Sequence, residues 1–556
     1  DLRALTTAAL GALATDAIAA LTTAQAAALT SGQLASLSTE QVQAVTTDGI
    51  AALSTAQIAG LGTGQVQALT TEQVEAFTTA QVSGFTTRQV AALTTEQIQA
   101  VETADVAALS TSQAAALNSA QVEALTTAQV QALETQDLRA IRTSAISALT
   151  TDGIDALTTA QAVALSSAQV AALTTAQVQA IATDDLTVLD TAQVRALGTQ
   201  QIQALSTDQI QALNTDQVAG LSTRQVAALA TDQVQAIDTA DVAALTTAQA
   251  AALSSAQVEV LTTAQVQALE TQDLRAIRSS AISALSTDGV GALATDQVAA
   301  MTTAQVAALT TAQVEAIATD DAAALTTAQV RALTTEQLQA ITTAQVEALE
   351  SSQVGALSTR QVAVLSTAQV QAIQTSDVAA LSTAQAGALD SAQVAALTSA
   401  QVAALETADL RAIRTSSISA LGTDAIDALS TAQAVALSTG QIAALTSSQV
   451  AAIATDSIAV LTTAQAGALH SVQAPALTTA QVGALVTEDV RAMTTRALQA
   501  LGTDAIEALT TAQAAALKST QVAALTTEQV QAIGTDDLAV LNTAQITALT
   551  TAQIAA

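Results

Sequence analysis

The sequence predicts an all-α solenoid, a right-handed superhelix of very short helices with one helix in each eight-residue repeat. Every eighth residue from Leu5 to Leu549 is Leu, Ile, Val, Met or Phe, and two positions later there is always Thr or Ser. The 556 residues are therefore one octapeptide, close to Leu-Thr-Thr-Ala-Gln-Val-Ala-Ala, repeated 69 times. An unbroken short period is typical of solenoids, in which each unit buries its apolar face by stacking on other units.

The spacing of the apolar residues favours a short helix in each octad. We number positions by the residue number modulo eight, so that large apolar residues fall at position five, and Val, Ile, Leu or Ala mostly at position two. Residues three apart share one face of a helix, but an uninterrupted helix would rotate that face by about 80° per octad. In a strand, the two positions would point to opposite sides. One short helix and one turn per octad is the remaining interpretation.

The start of each helix is predicted by its polar residues. In the octad Thr22–Leu29, Thr22 as N-cap and Gln25 at N3 have the spacing of a capping box. The invariant Thr or Ser at position seven, here Thr23, needs a second role: it caps the helix itself, or it bonds a carbonyl of the adjacent octad. We therefore expect loss of this hydroxyl to be more destabilising than loss of the hydroxyl at position six. Acids such as Glu40 favour position eight, where they suit the helix dipole.

Helices this short are not stable alone, so their order must come from packing. We expect each helix to pack on the octads immediately before and after it, at about 8–10 Å, with position five in the core. Phe77 and Phe85 occupy position five of consecutive octads and are predicted to form one stacked core pair. Pro475 is the only proline and predicts a local irregularity, because it removes an amide donor inside a helix.

A second, longer period is visible in rare residues. The segment Asp137-Leu138-Arg139-Ala140-Ile141-Arg142 recurs from Asp273 and from Asp409, at a spacing of seventeen octads. The chain opens with Asp1-Leu2-Arg3, one such period earlier. We divide the continuous solenoid, residues 1–556, into cassettes that start near residues 1, 137, 273 and 409, with a shortened fourth and a partial fifth from 489. Two interpretations stay open: recent duplication, or a superhelix that returns to an equivalent azimuth and pairs its Arg residues with acids.

The octad Leu93-Thr94-Thr95-Glu96-Gln97-Ile98-Gln99-Ala100 resembles the Leu-Thr-x-x-Gln-Val/Ile-x-Ala tracts of very large bacterial surface or secreted, adhesin-like proteins. The resemblance extends over the whole chain and implies an extracellular or cell-surface location. Both ends stop in register without the polar caps usual for solenoids, so we expect a segment of a longer protein.

Composition excludes several classes of function. The net charge of −32 and the pI near 4.1 disfavour nucleic acid and anionic membranes as partners. No apolar run approaches the roughly eighteen residues of a membrane span. Cysteine is absent and His470 is the only histidine, so neither a zinc site nor a Ser–His–acid triad is expected. We predict a protein that is not an enzyme, with no catalytic, cofactor-binding or metal-binding residues.

Calcium is the one ligand left open. Paired aspartates occupy positions eight and one at three predicted helix starts, where they stabilise the helix dipole or bind calcium weakly. The pairs are Asp184-Asp185, Asp320-Asp321 and Asp536-Asp537.

Length without sites favours a structural role, as the rod, stalk or filament body of a giant surface protein. One alternative is a binding scaffold whose groove holds a glycan or a protein. Another is ice binding by regular Thr-rich and Ala-rich faces. Because the surface is mostly uncharged Thr, Gln and Ala, we also expect self-association into a filament or bundle.

Overall fold

The computed structural model describes residues 2–556 and is entirely helical over that range. Asp1, which opens the first cassette, lies outside the described residues. The chain divides into two compact units, residues up to Leu285 and Ser286–Ala556, which are described separately because each has its own internal packing. Both units consist of very short helices at a regular eight-residue spacing, which confirms the predicted all-α solenoid.

Each α-helix begins at position seven and ends at position two, three or four, from Thr7–Gly11 to Thr551–Ala555. Helices that end at position four have six residues, as in Thr95–Ala100, and this is the commonest length among the described residues. The four-residue helices are Thr111–Ala114, Thr143–Ile146, Ser279–Ile282, Thr375–Val378, Thr383–Ala386 and Thr415–Ile418.

The five-residue helices end at position three. In the first unit they are Thr7–Gly11, Thr15–Ala19, Thr23–Ala27, Ser31–Ala35, Thr39–Gln43, Thr47–Ala51, Thr55–Ala59, Thr71–Glu75, Thr79–Ser83, Thr103–Ala107, Ser119–Glu123, Thr151–Asp155, Thr175–Gln179, Thr183–Thr187, Thr207–Gln211, Thr239–Ala243 and Ser255–Glu259. In the second unit they are Thr287–Gly291, Thr359–Ala363, Thr423–Asp427, Ser447–Ala451, Thr455–Ala459, Thr495–Gln499, Thr503–Glu507, Thr527–Gln531, Thr535–Ala539 and Thr551–Ala555.

Two extended residues separate a six-residue helix from the next helix. Leu93 ends its helix with φ −55° and ψ 138°, and Thr94 follows with φ −75° and ψ 167°. No residue from 2 to 556 has a positive φ, so the turn needs no glycine. This explains how Leu and Thr can occupy the turn in octad after octad.

Position six is the N-cap, as the capping-box spacing predicts. The Thr94 hydroxyl accepts a bond of 3.2 Å from the Gln97 amide N–H, and the Gln97 Oε1 accepts one of 2.9 Å from the Thr94 N–H. Two amide groups that lack partners inside the helix are satisfied in this way.

Position seven does not cap the helix, and its serines do not bond the adjacent octad, so both roles predicted for it are wrong. It is the first helical residue. The Ser119 hydroxyl donates to the Ser144 carbonyl at 2.8 Å, and the Ser31 hydroxyl donates to the Ala56 carbonyl at 3.0 Å. These partners lie three octads further along, because the chain needs about that length to return beside itself.

Helices pack against the third helix along the chain, which corrects the expectation that adjacent octads pack on each other. Thr95–Ala100, for example, lies between Thr71–Glu75 and Ser119–Glu123. The two extended residues between successive helices turn the chain away, so neighbours in sequence do not lie side by side. Hydrogen bonds between residues 25 to 31 apart show that one superhelical turn takes between three and four octads.

The core of each unit consists of positions one, two and five. Val226 and Leu229 represent the predicted core positions two and five, with 1% and 5% of their surfaces exposed. Gln225 at position one is equally buried, at 2%, which the apolar pattern does not predict. Position three faces solvent, as at Val163, which is 50% exposed.

Phe77 and Phe85 form the predicted core pair, but their rings are not stacked. The ring centroids are 5.1 Å apart and the ring planes meet at 86°, an edge-to-face contact. They line an apolar cavity of about 30 Å³ together with Val82, Val90 and Leu109. The cavity shows that aromatic side chains fill the axis less closely than the usual Leu and Val.

Pro475 produces the predicted irregularity. The octad that contains it has a 3-10 helix, Ala474–Ala476, in place of an α-helix. The register is unaffected, because Gln473 still bonds the Ile442 and Leu445 carbonyls at 2.8 and 2.7 Å.

Candidate functional site

The most developed polar feature of the molecule is a buried glutamine at position one. The Gln73 Oε1 accepts a bond from the Thr70 N–H at 3.0 Å, at the start of its own helix. Its Nε2 donates to the Val42 and Val45 carbonyls at 2.9 and 2.6 Å, on the previous turn of the superhelix. One side chain therefore joins the N-terminus of one helix to the C-terminus of the helix four octads earlier.

The same arrangement recurs in both units. In the second unit, the Gln401 Oε1 accepts from the Thr398 N–H at 2.9 Å, and its Nε2 donates to the Ile373 carbonyl at 2.7 Å. We call the buried position-one glutamines from Gln33 to Gln553, with their bonds to carbonyls of the previous superhelical turn, the glutamine ladder.

The ladder satisfies the main-chain groups that short helices leave unpaired. A helix of five or six residues has more free terminal N–H and C=O groups than internal bonds. Each buried glutamine supplies both an acceptor and a donor to these groups, and each net bond is worth about 0.5–1.5 kcal/mol. The ladder is thus the polar counterpart of the apolar core.

Ten position-one residues in the described range are aspartates, and all of them are buried. They are Asp105, Asp137, Asp185, Asp241, Asp273, Asp321, Asp377, Asp409, Asp489 and Asp537. An ionised carboxylate only accepts hydrogen bonds, so it cannot bond the carbonyls that glutamine reaches.

Some of these aspartates receive a hydroxyl from position seven of an earlier octad. The Thr215 hydroxyl donates to the Asp241 Oδ1 at 2.8 Å, and the Ser351 hydroxyl likewise donates to Asp377. Burial raises the pKa of Asp241, although the Thr215 hydroxyl opposes the increase. Position seven therefore supports these acids from about one turn away.

Asp137 has no such donor. It is fully buried, and neither of its carboxyl oxygens has a hydrogen-bond partner among the residues that the structure describes. Burial raises the pKa of Asp137, and the charge of Glu134 at the N-cap raises it further. Asp273 repeats this environment with Glu270, one cassette later.

The aspartate pairs proposed for calcium are split by the fold. Asp184 is exposed at position eight, whereas Asp185 is buried at position one with 5% of its surface exposed. Burial is the main cause that raises the pKa of Asp185. Over residues 2–556, no three His, Asp or Glu side chains are grouped so that they could hold a metal ion.

Exposed acids at position eight behave oppositely. Hydrogen bonds from their own backbone N–H groups and from the hydroxyl at position six lower the pKa of Glu40, Glu72 and Glu96. These residues lie in the first helical turn, where the sequence predicts that negative charge is favourable.

His470 occupies position six of its octad, just before a turn, and bonds main-chain groups. Its Nδ1 accepts from the Val472 N–H at 3.3 Å, and its Nε2 lies 3.1 Å from the Ala443 carbonyl. These main-chain contacts suit a structural position.

The ALTTAQ repeat matches this chain in fifteen segments, many of them overlapping, that cover most of its length. The matched segments are residues 1–31, 47–79, 72–101, 98–135, 130–166, 178–215, 210–237, 234–271, 266–303, 314–351, 346–375, 370–406, 402–439, 482–519 and 530–556. The chain belongs to the ALTTAQ repeat family. The name describes positions four to one of the octad, which include the turn, the N-cap and the ladder glutamine. A comparison with curated proteins found no match.

The ALTTAQ repeat builds only short helices here. Among residues 2–556, none of the helices has the length and apolar character needed to cross a membrane. The fold and the family together describe a structural repeat protein.

Sequence reasoning identified the ALTTAQ glutamine as a capping residue but missed its burial and its bonds to another turn. The available signal was its frequency: Gln fills position one in most octads, far more regularly than a helix cap requires. The aspartates that replace this glutamine lie at the same position, so its regularity could also have predicted that they are buried.

Proposed function

We propose that this chain is a structural segment of a very large extracellular bacterial surface protein, where it forms the rod, stalk or filament body. The glutamine ladder is the observation that carries the proposal. Each intact octad makes the same bonds to octads three and four away, so further octads lengthen the array without requiring a new type of contact. A segment that can gain or lose octads without a change in its local structure is well suited to act as a spacer.

The proposal is tested by removing one whole cassette. Deletion of residues 273–408 joins position eight to position one and keeps the octads in register. In a linear array, the maximum dimension from small-angle X-ray scattering should fall in proportion to the seventeen octads removed, which are about a quarter of the chain. In a compact globule, dimensions scale weakly with length and would fall by only about a tenth.

Deletion of residues 273–404 is the matched control. It removes almost as many residues but shifts the octads by four positions, so core and surface positions no longer align. This variant should lose helical order near the junction, as measured by hydrogen exchange. A drop of only a tenth in the maximum dimension of the in-register variant would contradict the proposed rod or stalk.

The surface location is part of the same proposal and rests on the resemblance to surface-protein tracts. Antibody labelling of intact source cells is the direct measurement. Reactivity that appears only after cell lysis would contradict an extracellular role.

A further inference from the structure

The glutamine ladder is interrupted at regular places. At four places within residues 2–556, three successive position-one residues contain no glutamine and the first of them is aspartate; we call each a ladder gap. The ladder gaps are Asp137/Ala145/Gly153, Asp273/Ala281/Gly289, Asp409/Ser417/Ala425 and Asp489/Ala497/Ala505. Because a superhelical turn takes between three and four octads, a ladder gap removes the amide bonds from most of one turn.

The middle helix is also short in three of the four ladder gaps. Thr143–Ile146 and Thr415–Ile418, the middle helices of the first and third ladder gaps, have only four residues. Fewer internal bonds and fewer bonds to the previous turn coincide there. A ladder gap therefore has fewer main-chain restraints than a stretch of octads with an unbroken glutamine ladder.

An arginine partly replaces the second missing glutamine. At the spacing of the ladder bonds, a glutamine at position 145 would reach the Leu117 carbonyl, but Ala145 stands there. Instead, the Arg142 Nη2 donates to the Leu117 carbonyl at 3.1 Å, and Arg278 bonds the Leu253 carbonyl in the same way. In the third ladder gap, Arg414 bonds the Gly387 carbonyl instead, at 3.0 Å.

The first missing glutamine has no such replacement. At the same spacing, glutamine in place of Asp137 would donate to the Val106 and Leu109 carbonyls of the previous turn. The Asp137 carboxyl offers no donor when ionised, and both of its oxygens are buried and unpartnered among the described residues. A negative charge there would face the carbonyl end of a helix, where the dipole is unfavourable.

The charged groups around this carboxyl do not compensate it. On its own helix, the N-cap Glu134 adds a second negative charge and the Arg139 side chain is exposed. Arg142, the N-cap of the next helix, is also exposed. The helices packed beside it, Thr111–Ala114 and Thr159–Ala164, carry no charged residue.

The turns before and after the aspartate add no cation either. The earlier helix contains Asp105 and is capped by Glu102, and the later helix Ser167–Ala172 is uncharged. None of these neighbouring groups can neutralise the Asp137 carboxylate, so its charge is removed only when the carboxyl group binds a proton.

We propose that each ladder gap is a joint closed by acid: a proton on the buried position-one aspartate supplies the missing donor to the previous turn, and its loss loosens that turn. This inference concerns the protein alone and does not depend on the proposed stalk. The joint is local, because most position-one residues outside the ladder gaps are glutamines that keep their bonds to the previous turn.

The direction of the pH dependence follows from the environment of Asp137. Burial and Glu134 raise its pKa in the closed turn above its value in an open turn. The stabilisation is therefore present below the open-turn pKa of about 3.9 and is lost as the pH rises through the raised pKa of the closed turn. Between these two pKa values, the equilibrium constant for opening the turn increases by up to about tenfold for each unit by which the pH rises.

The test is hydrogen exchange with mass spectrometry on the full chain from about pH 4 to 8, with rates divided by the intrinsic exchange rates. In the wild type, protection of residues 106–153 should fall as the pH rises and then level off. Asp137→Gln restores the ladder bond, and Asp137→Asn adds a donor at unchanged length. Both variants should abolish the decline, and Asp137→Gln should show the higher protection at neutral pH.

Asp152→Asn is the matched control, because Asp152 lies in the third octad of the same ladder gap but is exposed at position eight. It should retain the wild-type decline. An identical pH profile for wild type and Asp137→Gln would overturn the proposal. So would protection at pH 7 that returns on adding sodium, potassium or calcium ions, because a metal cation would then occupy the place assigned to the proton.

Discussion

At the scale of the residue, position one links local and long-range order. Gln225 accepts from the Ser222 N–H at 2.8 Å and donates to the Val194 and Leu197 carbonyls at 2.9 Å each. A polar side chain buried this deeply is stable because all of its groups are paired. The apolar core excludes water from these bonds, and the bonds align the turns that form the core.

Replacement of this glutamine should destabilise two turns together. Gln225→Ala leaves the Ser222 N–H and the Val194 and Leu197 carbonyls without their partner, which we expect to cost about 1–3 kcal/mol. Local hydrogen exchange is the measurement. The control is Gln203→Ala, since Gln203 lies exposed at position three. Loss of protection confined to residues near 225, with none near 194–197, would contradict a bond between turns.

Position five should contribute most of the apolar stability. Leu229→Ala removes a side chain that is 5% exposed, and the cavity left behind should cost about 2–5 kcal/mol. Exchange should increase in octads three and four away as well as locally. Val163→Ala, at a site 50% exposed, should change stability by less than about 0.5 kcal/mol. Comparable losses in the two variants would mean that the axis is not the core.

At the scale of the element, each helix depends on its cap because it has so few internal bonds. Ser222 Oγ accepts from the Gln225 N–H at 3.3 Å and donates to the Gln225 Oε1 at 2.8 Å. The neighbouring Thr223 is the first helical residue and is exposed. The cap and the ladder glutamine therefore hold each other in place.

The invariance of position seven suggests that its hydroxyl contributes more to stability than the hydroxyl at position six. The observed capping geometry predicts the opposite order. Ser222→Ala should cost about 0.5–2 kcal/mol through the lost cap, and Thr223→Ala should cost less. Thermal unfolding of the two single variants, followed by circular dichroism, compares them directly. A larger loss for Thr223→Ala would show that the hydroxyl at position seven contributes more than its visible contacts indicate.

At the scale of the whole molecule, charge limits association. The net charge is −32 at pH 7 and the pI is near 4.1. Repulsion between copies should disappear as the pH falls toward the pI, while the exposed surface remains rich in small uncharged side chains. This is the condition under which the proposed self-association should be strongest.

We expect light scattering to rise reversibly as the pH is lowered from 7 toward 4.1, and to rise at pH 7 when salt screens the charges. Electron microscopy of the associated material should show filaments or bundles. Scattering that stays constant over this range would contradict self-association, and amorphous precipitate would contradict an ordered filament.

The sequence by itself determined the helical class, the one-octad period, the cap at position six and the core at positions two and five. Each follows from interactions within about eight residues, such as the spacing of Leu29 from Ala26 or of Gln25 from Thr22. Local rules of helix geometry and capping are sufficient for features of this kind.

Only the tertiary structure decided which octads touch, because that depends on the angle at which two extended residues redirect the chain. A small change at Leu93 or Thr94, repeated over three octads, determines whether Gln97 meets the Val66 carbonyl or solvent. Its partners lie on the previous superhelical turn and leave no mark in the octad beyond the frequency of Gln. For the same reason, Asp137 is an ordinary acid in the sequence and becomes a buried, unpartnered one when the turns close around it.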